Sequence, residues 1–142
     1  MRIAEVLRKK GTEVATIAPD ATVTELLAVL AEKNVGALVV VENERIVGIV
    51  SERDVVRRAH ERGAAILSAG VSDIMTTDVA TCDPNETVDH LTVLMTQRRI
   101  RHVPVVQDGR LVGIVSIGDV VKNRMDELEQ AQEQLQAYIV QG

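Results

Sequence analysis

Gly48-Ile49-Val50-Ser51-Glu52-Arg53-Asp54-Val55-Val56 returns further along the chain as Gly113-Ile114-Val115-Ser116-Ile117-Gly118-Asp119-Val120-Val121. The copies lie 65 residues apart, and shifting the chain against itself by that amount aligns Thr12–Val56 with Thr77–Val121 without a gap, 19 of the 45 pairs being identical. A self-match of this length marks a tandem duplication, so the fold is one unit built twice. In each copy a β-like run, Ile46–Val50 or Leu111–Val115, breaks into a Ser-x-x-Asp that opens a helix. That junction is the first candidate for a binding site.

Outward from it the two copies read alike. An amphipathic stretch with Ile3, Val6 and Leu7 at helical spacing ends at Gly11, and Val71–Met75 is its counterpart. Short extended segments, Val14–Ile17 and Val79–Cys82, close at Pro19-Asp20 and Pro84-Asn85. Thr22 then caps a helix with Val23, Leu26, Leu27 and Leu30 on one face and Glu25 at the capping-box position, and the stretch from Thr87 repeats it. Two β runs follow, Ala37–Val41 with Ile46–Val50, and Val103–Val106 with Leu111–Val115. Asp108-Gly109 between the second pair is a strong hairpin signal, and Asn43-Glu44 between the first is a weaker one. Each unit is therefore β-α-β-β-α. Residues 1–62 form the first unit, 63–70 a linker, 71–125 the second unit and 126–142 a C-terminal helical extension. In that last helix Val121, Met125, Leu128, Leu135 and Ile139 fit an a/d seam with Gln132 in one slot, which suits either a dimer contact or packing on the helix's own unit.

Composition narrows the function. With 142 residues, 46% of them apolar, the chain can bury a full core. Its longest apolar run, Ala37–Val41, is far short of the roughly 20 residues of a membrane span, and its start has no signal-peptide pattern. A single cysteine, Cys82, fits a reducing cytoplasm. The net charge of −5 argues against a nucleic-acid coat, and Tyr138 as the one aromatic means that a bound base would lie between aliphatic side chains. The histidines His60, His90 and His102 fall in separate elements without metal-site spacing, and neither a phosphate-binding glycine loop nor a nucleophile elbow is present. The expected protein is not an enzyme and holds no catalytic cofactor or metal.

Ser51 with Asp54, and Ser116 with Asp119, can do two things. Each pair can cap its helix, although Asp is shorter than the Glu or Gln that usually reaches back. Each carboxylate, at the C-terminal end of a strand, can also accept hydrogen bonds from ribose hydroxyls, while the free N–H groups of the helix start attract phosphate. The cations break the symmetry of the repeat. Arg101 and His102 replace Gly36 and Ala37, and Arg53 has Gly118 as its counterpart; Val103 and Pro104, which follow His102, are counted with them as nucleotide-binding candidates. If the copies face each other, Arg53, Arg101 and His102 converge on one phosphate, with Lys10 a further candidate. A cleft bordered by Gly36, Ala37 and Gly118 is the poorer one, and if His102 contributes as a cation, binding weakens as pH rises from about 6 to 8.

With Thr-x-x-Pro, the amphipathic helix, two short strands and Gly-h-h-Ser-x-x-Asp (h, hydrophobic) each present twice, the chain resembles a tandem pair of cystathionine β-synthase (CBS) domains of the stand-alone bacterial type. The resemblance covers Ile3–Arg124. It implies an α/β fold of the α+β type, two units packed through their sheets about a pseudo-twofold axis, and two clefts for adenosine-type ligands. It further implies that Ser51, Asp54, Ser116 and Asp119 hold ribose and that backbone near Val14-Ala15 and Val79-Ala80 meets adenine. Arg101 and His102 match residues that approach phosphate in the γ subunit of AMP-activated protein kinase, where the two types stand in the opposite order. The expected protein is a cytoplasmic homodimer that binds AMP and regulates a partner protein. The alternatives are a cleft for NAD(H), ATP or S-adenosylmethionine, and a structural adaptor with vestigial clefts.

Overall fold

The Glu25 amide donates to the Thr22 hydroxyl at 3.1 Å while the Thr22 amide donates to the Glu25 carboxylate at 3.3 Å, closing the expected capping box. In the computed structural model, which describes residues 1–141, helix α2 then runs Val23–Lys33 and buries Val23, Leu26 and Leu30. Thr87 starts α5, Val88–Arg98, with half of that arrangement, its hydroxyl accepting from the His90 amide at 3.1 Å without a reciprocal side-chain bond. The first unit also contains α1 (Ile3–Lys10), β1 (Thr16–Ile17), β2 (Ala37–Glu42), β3 (Arg45–Ser51) and α3 (Glu52–Arg62). A 3₁₀ turn, Gly63–Ser68, follows. It is more than a spacer, because Ile66 is buried in the first unit's core. The second unit contains α4 (Val71–Ile74), α5, β4 (His102–Gln107), β5 (Arg110–Ser116) and α6 (Ile117–Gln141). Gly142, the last residue of the expected extension, lies outside the described residues.

Both β-hairpins have the same register, including a bulge after Val40 and after Val105. Their two-residue turns place both central residues at positive φ, Asn43 at 53° with Glu44 at 65°, and Asp108 at 53° with Gly109 at 76°. This primed geometry matches the right-handed twist of the strands but suits glycine, not glutamate. Glu44→Gly is therefore expected to stabilise the protein by about 0.5–1 kcal/mol, the left-handed strain less the extra entropy of glycine. A urea midpoint that falls in the variant would contradict this account of the turn.

The sheets differ where the repeat does. In the first, β1 pairs in parallel with β2 through Thr16 and Ile17, in the order β1-β2-β3. In the second, the expected strand Val79–Cys82 shrinks to a single bridge between Cys82 and Val105, leaving β4 and β5 as a two-stranded sheet. The cause is Pro104, which stands where the first copy has Val39. The Val39 amide donates to Ala15 O, and proline has no N–H to make the equivalent bond.

The two cores exchange helices. Ile3, Val6 and Leu7 of α1 pack with Leu91, Met95, Val103, Val105 and Val115 of the second unit. Val71 and Ile74 of α4 pack with Leu26, Leu30, Leu38 and Val50 of the first. Each fully buried side chain of this size contributes about 1.5–3 kcal/mol, so the exchange binds the units together about a pseudo-twofold axis. It also explains the glycine of the repeated motif. A Cβ at Gly113 would lie 2.7 Å from Leu7 of α1, and one at Gly48 would lie 2.6 Å from Met75, just after α4.

Candidate functional site

At the start of α3 the Ser51 amide and hydroxyl both donate to Asp54 Oδ2, at 2.9 and 3.1 Å, and the Asp54 amide donates to Ser51 Oγ at 3.3 Å. Asp is therefore long enough to close the box, contrary to the argument from its length, because the N-cap and third helical residue are already adjacent. The cap uses one oxygen. Among the described residues Oδ1 of Asp54 has no hydrogen-bond donor, so the same carboxylate can cap the helix and accept from a ligand.

That carboxylate borders a cleft of about 420 Å³ between the two units, a volume in the range of small-molecule sites. Ser51, Arg53 and Asp54 of the first unit meet Val79, Ala80, Arg101 and His102 of the second. The convergence expected if the copies face each other is thus present. Aliphatic wall is supplied by Ile49, Val79, Ala80 and Ile100, the kind of surface on which an unstacked base would rest. Five arginines line the cleft against the three carboxylates of Glu52, Asp54 and Asp78. Arg98 lies 3.9 Å from Asp78, whereas Arg53, Arg57, Arg99 and Arg101 make no ion pair among the described residues. Unpaired guanidinium groups bordering one concavity can take an anion there, and of the first amides of α3 only that of Arg53 is without a partner among the described residues, since Glu52 N donates to Gly36 O and Asp54 N to Ser51 Oγ.

Arg57, Arg98 and Arg99 are absent from the candidate set read from the sequence. Arg57 follows Arg53 by four residues, so the helical period alone places it on the same face. Arg99 has no such local signal. It ends α5 in the left-handed conformation, φ 55°, which turns the chain toward the cleft, and its counterpart Asn34 does the same at φ 52°.

Other expected positions differ. Gly36 and Ala37, assigned to the poorer cleft, line this one beside His102. The starts of β2 and β4 face each other near the pseudo-twofold axis, and a Cβ at Gly36 would lie 3.4 Å from the His102 ring. His102 is half-buried, and desolvation first, then the positive charge of Lys10, push its pKa below the usual 6.5 despite the opposing pull of Glu52 and Asp119. That direction works against a cationic role for His102. Val103 and Pro104 are buried in β4, and Val14 and Ala15 lie half-buried outside the 420 Å³ cleft. Cys82 is buried too, and burial with nearby Glu86 and Asp83 pushes its thiol up to about 12, so it is no nucleophile.

The second junction is built alike but occupied from within. The Ser116 amide donates to Asp119 Oδ2 at 2.8 Å and the Asp119 amide to Ser116 Oγ at 3.2 Å. Lys10 then donates to Asp119 Oδ2 at 2.5 Å and to Ile114 O at 2.8 Å. Burial works to raise the Asp119 pKa, but the hydrogen bond from Lys10, helped by Ser116, brings it below the usual carboxylate value. Asp119 borders a smaller cavity of about 140 Å³ with Lys9, Lys10, Lys122, Asn123 and Asp126.

On the outer face of α6, Val121, Met125, Leu128, Leu135 and Ile139 are 51–66% exposed. That stripe does not pack on its own unit. Among the described residues no helix is long and apolar enough to cross a membrane, and no group of three or more His, Cys, Asp or Glu residues is placed to hold a metal.

The CBS domain profile matches this chain twice, over residues 3–61 and 71–126. The CBS domain-containing protein CBSX3, mitochondrial, of Arabidopsis thaliana is 38% identical, the match covering 99% of this chain and 72% of that protein. The CBS domain-containing protein YhcV of Bacillus subtilis is 36% identical over 80% of this chain and 81% of its own. Among solved structures, the CBS-domain containing protein ATU1752 from Agrobacterium tumefaciens superposes with a TM-score of 0.86 at 43% identity, covering 87% of this chain and 99% of that one. The CBS domain pair of protein MJ0100, in complex with 5′-methylthioadenosine and S-adenosyl-L-methionine, superposes with a TM-score of 0.80 at 26% identity, covering 89% and 98%.

Proposed function

This chain belongs to the CBS domain family, carrying the domain twice, and on that premise we propose that it is a cytoplasmic regulatory module whose 420 Å³ cleft binds AMP. Asp54 Oδ1 accepts the ribose hydroxyls, the wall of Ile49, Val79, Ala80 and Ile100 holds the base, and the arginines with the Arg53 amide take the phosphate. The observation that carries the reading is the meeting of a free carboxylate oxygen with four unpaired arginines in one cleft of nucleotide size. Occupancy bridges the two units, and it reaches a partner protein or a second copy through α3 and α6.

A second reading, a cleft for methylthioadenosine or S-adenosylmethionine, draws support from the likeness to the MJ0100 pair. The arginines weigh against it, because a sulfonium would meet charges of its own sign and a thioether would leave them without an anion. A thermal-shift panel of AMP, ATP, NAD, S-adenosylmethionine, methylthioadenosine and adenosine separates these readings. A ligand at 100 times its Kd stabilises by about 2.7 kcal/mol, a rise of the order of 10 °C for a chain of this size. AMP should shift the transition at a lower concentration than adenosine, with an advantage that shrinks as salt rises. Silence across the whole panel would leave the structural adaptor as the better description.

A further inference from the structure

We propose that α6 is a self-recognition element whose outer stripe docks on the same stripe of a second copy with the two helices parallel, so that the dimer sets second unit beside second unit. This orientation does not depend on what the cleft binds.

The need for an occupant comes from the far half of α6. Val120 and Asn123 are buried and Asp126 and Glu127 half-buried, but each of the 14 residues 128–141 is exposed. An isolated helix of about that length is marginal in water, so this one lacks the tertiary packing that ordinarily holds a helix. Its surface is not evenly polar. Leu128, Leu135 and Ile139 continue the line of Val121 and Met125 for about 28 Å, while Gln130, Glu133 and Gln134 lie off it.

Charge register selects a second copy as the occupant. The alternating steps of four and three residues make Met125, Gln132 and Ile139 the a positions and Val121, Leu128 and Leu135 the d positions, with Arg124 at g and Glu129 at e. In a parallel pair, g of one heptad faces e of the next heptad in the partner, so Arg124 meets the partner's Glu129 twice by symmetry, and the two Gln132 side chains can hydrogen-bond to each other. The stripe thus complements itself and calls for no partner of opposite sign. In the single chain Arg124 bonds only to Glu127 on its own helix, at 3.3 Å and exposed, and giving up such a pair costs little.

The antiparallel alternative fits worse. Aligned over the same length, it sets Leu128 against the partner's Gln132 and Glu129 against the partner's Glu129. An amide buried without a partner and a like-charge pair both oppose that arrangement. Because α6 follows β5 directly, parallel helices bring the two second units side by side.

Cysteine cross-linking of the full chain tests this in a glutathione buffer, where only pre-aligned thiols stay linked. The native Cys82 is buried and stays out of the exchange. Gln132→Cys is expected to give a linked dimer on non-reducing gels, and Gln130→Cys, on the outer face, none. A link formed only when Leu128→Cys chains are mixed with Gln132→Cys chains would make the helices antiparallel and overturn the proposal. Absence of any link, or equal linking by Gln130→Cys and Gln132→Cys, would overturn it by taking the second copy off the stripe. Charge reversal gives an independent measure. Arg124→Glu should weaken the dimer about tenfold in sedimentation, since two attractions become two repulsions, and adding Glu129→Arg should restore it. A double variant no tighter than Arg124→Glu alone would also overturn the parallel register.

Discussion

Asp54→Ala is expected to weaken AMP by about 10- to 100-fold, whereas Asp119→Ala leaves it unchanged. Hydrogen bonds to a charged acceptor contribute about 1.5–3 kcal/mol, and the ribose loses its carboxylate in the first case only. In the second, the carboxylate removed is one that Lys10 already holds. Fold is not at issue in Asp54→Ala. The lost cap costs of the order of 1 kcal/mol against a typical stability of about 5–15 kcal/mol. Since the ribose is common to both ligands, adenosine should weaken with AMP. Calorimetry at fixed salt decides the matter, and equal losses in the two variants would show that the junctions are equivalent and that the cleft between the units is not the preferred site.

The other large effect concerns assembly. Leu128→Glu is expected to halve the mass measured by sedimentation, from a dimer to a chain of 15.5 kDa. Leu128 is 61% exposed in the single chain and lies in the middle of the stripe from Val121 to Ile139, so its replacement costs the isolated chain little. In a parallel two-stranded seam, Arg124 and Glu129 fall at the flanking positions that pair between copies, and Gln132 takes one core slot, a combination that favours alignment in one register. A glutamate in such a seam is buried with its own twofold copy beside it. Burying two unpaired carboxylates costs several kcal/mol. A variant that keeps the wild-type mass would remove α6 from the subunit contact.

Much of this molecule was legible because the information is local. The capping boxes at Thr22 and Ser51 and the two-residue hairpin turns involve partners within a few positions, so their residue types announce them. The Ser-x-x-Asp junction was legible as a helix start for the same reason and was strengthened by appearing twice. Arg57 was within reach of the same logic, one helical turn from Arg53. The shrinkage of the Val79–Cys82 strand was not. It depends on which residue of β4 faces Ala80, and the parallel bridge between Cys82 and Val105 shows that the residue is Pro104.

By itself the sequence determined the duplication, the order and type of the helices and of the two hairpins, and the pairing of Ser with Asp at each helix start. These follow from periodicity, caps and turns, which act over three or four residues. The tertiary structure decided which sheet receives α1 and which receives α4, since both helices carry equivalent apolar faces and either sheet could cover them. It also decided that His102 shares its cleft with Gly36, and that Lys10 pairs with Asp119 while no cation pairs with Asp54 among the described residues. The contact between Lys10 and Asp119 spans 109 positions in the chain. It exists because α1, once docked on the far unit, is long enough to reach that junction, and a helix's reach has meaning only after its docking site is known.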